Sequence, residues 1–249
     1  MLIKVVWLSI FLVSEFNSGS ISGNATATTC GSDIMTTKIN IEGSGKQRCQ
    51  EQVQCDCIIT AAGLSSRMGT WKMMLPYCQG TMLDASLKNA LAFCQRVILV
   101  VGHRGEELEA RYGSRPDIVV VHNPDYRQGL GSSIRCALAA SDADYLFISH
   151  GDLPCIPREV YQQLWQARGC EALFPTWQGE AGHPVLLPKS LARELAAAPV
   201  QSSVRRWLHG HQHRMVPVDS PAILFDVDTP ERYQALLGGI LENESEPTK

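Results

Sequence analysis

From position 55 onward, short unbroken apolar runs alternate with stretches whose apolar residues recur every three or four positions. The run Cys57–Thr60 reads as a buried strand, and so do Arg96–Val101 (RVILVV), Asp117–Asn123 (DIVVVHN) and Asp144–Asp152 (DYLFISHGD). Continuous β-branched runs of this kind suit parallel strands covered on both faces. Between them, Met82–Cys94 places Leu83, Leu87, Ala90 and Leu91 on one helical face. Glu106–Tyr112, Gly131–Ala140 and Arg158–Arg168 read as further helices, the last with Val160, Leu164 and Trp165 on one side. Later strand candidates are ALFPT at 172–176, HPVLLP at 183–188 and AILFDVD at 222–228. Leu191–Ala198 and Val204–His209 are expected to be helical.

Alternation of this kind predicts an α/β fold, a single Rossmann-like domain with a mostly parallel central sheet. Ligands of such sheets collect at the carboxyl ends of the strands. The polar clusters fall there: Ala61–Arg67, Gly102-His103, Asn123–Ser133, His150–Pro154 and Asp226–Thr229. One crevice fed from several strand ends is the expectation.

The ends of the chain lack this pattern. Residues 1–54 are rich in Ser, Thr, Gly and Asn and are expected to be a disordered or misassigned leader, with Met35 as an alternative start. Within it, Lys4 followed by VVWLSIFLV resembles the apolar part of a signal peptide, and Asn24-Ala-Thr would be a glycosylation sequon in an exported protein. Residues 55–240 are expected to form the folded domain and 241–249 a frayed tail.

Composition narrows the class. Apolar residues make up 45% and charged residues 19% of the 249, with a net charge of −3. Nothing there suggests a nucleic-acid surface or a membrane-binding helix. Nine cysteines at irregular spacing, with no C-x-x-C, favour thiols in a reducing compartment, hence the cytoplasm. Cys49, Cys55 and Cys57 lack a fourth ligand at zinc-site spacing.

The chemistry gathers in four loops. TAAGLSSRMGTWK, Thr60–Lys72, follows the first strand with small residues and then Arg67 and Lys72. Small side chains let backbone N–H groups approach an anion, and the two cations add charge. Asp152 in His150-Gly-Asp-Leu-Pro154 is either a turn cap or a ligand for a hard cation. In Asp226-Val-Asp-Thr-Pro230, strand alternation would put Asp226 and Asp228 on one face, while Thr229 or Asp228 before Pro230 could cap a helix. Gly182-His183-Pro184 precedes a strand, and Gly129–Ser133 opens a helix whose N–H groups or hydroxyls could meet a base or ribose. His209, His211 and His213 read as an exposed polar turn. His103 and His122 sit at strand ends, with a pocket role or none.

The order of AAGLSSRMGxxK, GDLP, GHPV and DVDTP resembles the molybdenum cofactor cytidylyltransferases and the related guanylyltransferases, nucleotidyltransferases of GT-A-like fold. CIITAAGLSSRMG, WKMMLP and HNPDYxQGL carry the same similarity. That resemblance implies transfer of CMP from CTP to the molybdopterin cofactor, with release of pyrophosphate. It implies nucleotide contacts at Ala61, Ala62, Gly63, Leu64, Ser65, Arg67 and Lys72; Ser132, in the Gly129–Ser133 helix opening, is the further nucleotide contact expected, unless that segment is a plain helix start. Catalytic roles fall to Arg67, Lys72 and Asp152, Mg²⁺ ligation to Asp152 and Asp228, and acceptor binding to His183. Ala62 stands where guanylyl relatives carry a second glycine, which favours cytosine. A molybdenum hydroxylase would receive the product. A GTP-using or other small-phosphate nucleotidyltransferase, or a cofactor-carrying chaperone for a hydroxylase, are the alternatives.

Overall fold

The runs read as buried strands form the centre of one sheet. The computed structural model describes residues 53–198 and 203–239. In chain order it contains β1 (Cys55–Thr60), a small hairpin of β2 (Pro76–Tyr77) and β3 (Gly80–Thr81), α1 (Met82–Leu91), β4 (Arg96–Val101), α2 (Gly105–Tyr112) and β5 (Ile118–His122). Next come α3 (Leu130–Leu138), β6 (Tyr145–His150), α4 (Arg158–Gln166), β7 (Ala172–Trp177), β8 (Glu180–Ala181) and β9 (Val185–Pro188). The last elements are α5 (Lys189–Ala197), α6 (Val204–His209), β10 (His213–Pro217) and α7 (Pro230–Leu237).

The sheet order is β10-β7-β9-β6-β1-β4-β5, with β8 paired to β7. β5, β4, β1 and β6 are mutually parallel, and β10 is parallel to β7. β9 runs antiparallel to both β6 and β7. The sheet is thus mixed but mostly parallel.

Alternate residues of the central strands feed two cores. Cys57, Ile59, Val97 and Leu99 face one layer, where Leu83 and Leu87 of α1, Leu108 of α2 and Leu164 of α4 cover them. Ile58, Ile98 and Val100 face the other, under Ile134 and Ala137 of α3, Leu195 of α5 and Leu208 of α6. Each fully buried Leu or Ile of this kind contributes about 1.5–3 kcal/mol. The result is a helix–sheet–helix sandwich, as the alternation predicted. α1 starts with a capping box: Thr81 Oγ1 accepts from Asp84 N–H, and Asp84 accepts from Thr81 N–H.

Three details depart from the sequence pattern. AILFDVD is not a strand: Pro221–Leu224 is a 3₁₀ turn, and Phe225–Asp228 continues without sheet pairing. Its backbone is tied instead by single bonds, Val227 N–H to Asp152 C=O at 2.9 Å and His183 N–H to Ile223 C=O at 3.0 Å. β10 carries little apolar signal because it is a mostly exposed edge strand. At the amino end, Gln54 already belongs to the ladder, since its C=O accepts from Asp144 and Tyr145 N–H. The rest of the leader as far as residue 52, Cys49 with it, and the tail from 240 lie outside the described residues. Among the described residues no helix is long and apolar enough to cross a membrane.

Candidate active site

The chain winds from β1 outward through β4 to β5, then returns to place β6 on the other side of β1. The carboxyl ends of β1 and β6 therefore flank the point where winding reverses, and a crevice opens there. A cavity of about 520 Å³ occupies it, lined among others by Gly63, Lys72, Tyr126, Asp152, His183 and Asp228. A larger cleft of about 1280 Å³ lies between the β2–β3 hairpin and α7. Its Asp84 and Arg111 pair with each other at 2.7 Å and Lys88 is its remaining charge, whereas the smaller crevice gathers Lys72, Arg67, Asp152 and Asp228 and is the candidate site.

The loop after β1 is anchored at its start and open beyond it. Ala61 N–H donates to Val100 C=O at 2.8 Å, and Ala62 C=O accepts from His103 N–H at 3.2 Å. Both alanines are buried. Beyond them the N–H groups of Gly63, Leu64 and Ser65 donate to no other described residue. A Cβ added at Gly63 would meet nothing within 4 Å, so the glycine keeps the approach clear rather than serving packing. Ser65 turns the chain in the left-handed region at φ 56°, and its Oγ accepts from Lys72 N–H at 3.3 Å. Leu64 is 53% exposed at the rim. Unpaired N–H groups in such a bend are an anion-binding concavity.

Beneath this loop the charges converge. Lys72, buried in a 3₁₀ turn, directs Nζ to Asp152 Oδ2 and Asp228 Oδ1, each at 2.5 Å. Arg67 is exposed and pairs with the other oxygen of Asp228. Burial pushes the Lys72 pKa down, but the two carboxylates outweigh it and raise it above the usual value. Burial likewise pushes Asp228 up, and hydrogen bonds from Lys72 with the Lys72 and Arg67 charges bring it below the usual range. Asp226 goes the other way. Burial and the neighbouring Asp228 raise its pKa, and its carboxylate is taken by Arg232 at 2.6 Å. Of the two aspartates in DVD, only Asp228 joins Asp152. It does so from irregular backbone, not through strand alternation. Thr229 is the helix cap, its Oγ1 accepting from Arg232 N–H, with Pro230 in the first turn.

Lys72 Nζ demonstrates that these oxygens accept a cation between them. Two carboxylates are a suitable protein share for Mg²⁺, which takes its other ligands from water and substrate phosphate. Among the described residues no cluster of three or more His, Cys, Asp or Glu forms a metal cage.

The remaining residues are placed as follows. Ser132 Oγ lies 2.8 Å from Gly129 C=O and 3.0 Å from Asp125 C=O, and it accepts from Asn123 Nδ2. It is thus engaged at the helix start, while Ser133 lines the crevice. His183 lies against His150, with Nε2 atoms 3.1 Å apart, and His150 Nδ1 is 2.7 Å from Thr60 Oγ1. Burial, helped by the Lys72 charge, pushes His150 down to about 4. Burial and the His150 ring push His183 down to about 3. Gly182 passes so close to Ile223 that a Cβ would sit 2.2 Å from its carbonyl oxygen, which explains the glycine of GHP. His209 and His213 face each other at 3.4 Å on an exposed surface, away from the crevice lining.

Sequence reasoning did not single out Thr60, Tyr126, His150 or Arg205, all of which line the crevice. His150 was legible as the polar end of an apolar strand. Tyr126 packs over Gly102, where an added Cβ would meet its Cβ at 2.6 Å and that of Ala62 at 3.0 Å. Arg205 sits on α6, lines the crevice and makes no ion pair among the described residues.

Residues 57–216 match the MobA-like NTP transferase domain. The chain is 45% identical over 178 residues to the molybdenum cofactor cytidylyltransferase of Escherichia coli K12, covering 72% of this chain and 93% of that one. It is 26% identical over 197 residues to the molybdenum cofactor guanylyltransferase of Shewanella sp. MR-4, covering 76% and 98% respectively. The crystal structure of Mycobacterium tuberculosis H37Rv Rv0371C in complex with manganese superimposes with a TM-score of 0.59 at 28% identity, covering 75% of this chain and 99% of that one. With the matched region holding the cradle loop, Lys72 and Asp152, the chain belongs to the MobA-like NTP transferase family and is a nucleotidyltransferase.

Proposed function

We propose that the protein transfers CMP from CTP to the molybdopterin form of the molybdenum cofactor, giving the cytosine dinucleotide cofactor and pyrophosphate. The observation that carries this reading is the convergence of Asp152 and Asp228 on Lys72 Nζ beneath a loop with unpaired N–H groups. The 45% identity to the Escherichia coli cytidylyltransferase supports the choice of nucleotide and acceptor.

In the reaction, an oxygen of the pterin's terminal phosphate attacks the α-phosphorus of CTP. That P–O bond forms as the bond to the α,β-bridging oxygen breaks, and pyrophosphate departs with the electron pair. The N–H groups of Gly63, Leu64 and Ser65 hold the triphosphate. Arg67 and Lys72 offset the charge that grows on the leaving group. Asp152 and Asp228 would hold a Mg²⁺ ion, which would supply further neutralisation of the phosphate oxygens. Because the protein supplies no covalent intermediate, positioning and charge carry the rate.

Ala62 supports cytosine. Its side chain, Gly102 and Tyr126 form a tight wall on the nucleotide side, which leaves less room than a second glycine would. The acceptor half is bounded by His183 and Arg205. The product is passed to a molybdenum hydroxylase, and the reaction runs in the cytoplasm, in keeping with the odd cysteine count.

The test is incubation of the purified protein with molybdopterin, molybdate, Mg²⁺ and each nucleoside triphosphate in turn, with identification of the product. Cytosine dinucleotide and one equivalent of pyrophosphate are expected from CTP. A product from GTP in preference to CTP, or cofactor binding without pyrophosphate release, would refute the proposal.

A further inference from the structure

Both ring nitrogens of His183 are already occupied. Nδ1 lies 3.3 Å from the Ile148 carbonyl oxygen, and Nε2 lies 3.1 Å from His150 Nε2. A carbonyl can only accept, so His183 Nδ1 carries the proton. A neutral His183 then offers a bare Nε2, which must accept from His150 Nε2–H. That leaves His150 Nδ1 bare, and it accepts from Thr60 Oγ1–H at 2.7 Å. The direction of each bond follows from the one before. Donation runs from Thr60 to His150 to His183 and ends on the Ile148 carbonyl, with no spare donor on either imidazole. The two rings lie with centroids 4.2 Å apart, at 65° to each other.

These residues come from different parts of the site. Thr60 ends β1 and opens the phosphate loop, His150 ends β6 two residues before Asp152, and His183 sits in the turn ahead of β9. Lys72, Asp152 and Asp228 bear on this pair from the phosphate side, and Arg205 from α6.

We propose that His183 is a positioning residue rather than an acceptor ligand, and that the Thr60–His150–His183–Ile148 relay fixes the GHP turn against the phosphate loop. This deepens the nucleotidyltransferase reading and rests on it for its kinetic part only. The turn so fixed holds the acceptor wall in place, and the wall's free charge belongs to Arg205.

Two measurements on the full chain test it. The first is the ¹⁵N spectrum of the histidine side chains, which reads tautomers without any activity. His150 is expected as the Nε2–H form and His183 as the rarer Nδ1–H form; His183 as the Nε2–H form, or averaging between forms, would overturn the relay. The second is kinetics of Thr60→Val, His183→Asn and the double variant. Asparagine can keep the bond to Ile148 but cannot reach His150. Each single change should raise the acceptor KM about tenfold with the CTP KM within about twofold, and the double variant should lose no more than the worse single one. If His183→Asn abolished acceptor binding while Thr60→Val had wild-type kinetics, His183 would touch the acceptor directly and the inference would fall. A wild-type protein with the expected tautomers but no cytidylyl transfer would leave the relay standing and sink the proposed reaction instead.

Discussion

On the β1 side of the crevice the site residues leave regular strands. The phosphate loop follows β1, Asp152 follows β6, and both strands are parallel neighbours in register from Cys55 with Tyr145 to Thr60 with His150. On the other side, past the antiparallel strand β9, the contributions come from turns. His183 belongs to the β8–β9 connection, and Asp228 follows a 3₁₀ turn without sheet pairing. The first side is positioned by backbone ladders. The second is held by a few specific contacts: Val227 to Asp152, His183 to Ile223, and Asp228 to Lys72. A site assembled this way has one half set by backbone ladders and another whose geometry depends on single bonds; in the proposed reaction these are the nucleotide half and the acceptor half, with Asp228 reaching from the second to the phosphates of the first.

The sharpest way to probe that division is to remove one carboxylate from each side. Asp152→Asn and Asp228→Asn should each lower kcat/KM by about a hundredfold or more, because each removes half of the charge that faces Lys72. Asp226→Asn should cost far less, since that carboxylate pairs with Arg232. Equal losses at Asp226 and Asp228 would show that the DVD segment acts as a strand with both aspartates in the site.

Lys72→Met comes next. It should lower turnover by more than about tenfold through loss of charge at the leaving group. It also removes the cation that lies between Asp152 and Asp228, leaving only the exposed Arg67 on the outer oxygen of Asp228, so Mg²⁺ should raise the melting temperature of this variant more than that of the wild type. An equal Mg²⁺ response in both would mean that the ammonium does not compete for those oxygens.

Gly182→Ala tests the acceptor half alone. The new Cβ would meet the Ile223 carbonyl, which is backbone and cannot swing away, so a loss of about 1–3 kcal/mol is expected, measured by denaturant melts. The acceptor KM should rise with it while nucleotide binding persists. Loss of CTP binding as well would erase the distinction between the two halves.

The pH dependence of stability is a subtler effect. His150 and His183 titrate at about 4 and about 3 in the folded protein, below the ordinary 6.5, mainly through burial. The unfolded chain takes up protons first as the pH falls. The histidine contribution is therefore full above about 6.5 and is lost as the pH drops, through about 4 for His150 and about 3 for His183. Melting temperature should fall over that window, and less so in His183→Asn. A flat profile in the wild type would mean that the pair is not buried in neutral form.

The same division decides what could be read from sequence. The strands β1, β4, β5 and β6 were legible because double burial demands unbroken apolar runs, and the motifs at their ends were legible with them. Lys72 and Asp152 stood out as charges directly behind such runs. The path of 222–228 was not, because its apolar residues fill a turn around Ile223 and a pocket for Val227 instead of pairing as a strand. β10 was silent because an exposed edge strand needs no apolar period. The partnership of His150 with His183 is a contact across 33 positions between two strand ends, for which no spacing rule exists.

In the proposed reaction Asp152 and Asp228 form a joint cation site from one strand end and one turn. Titration of Mn²⁺ into the protein with and without CTP, followed by its electron spin resonance, tests this most directly. The wild type should bind one Mn²⁺ much more tightly with CTP present, and both Asp152→Asn and Asp228→Asn should abolish the gain while still folding. Undiminished CTP-linked Mn²⁺ binding in Asp228→Asn would place the cation elsewhere and contradict the account.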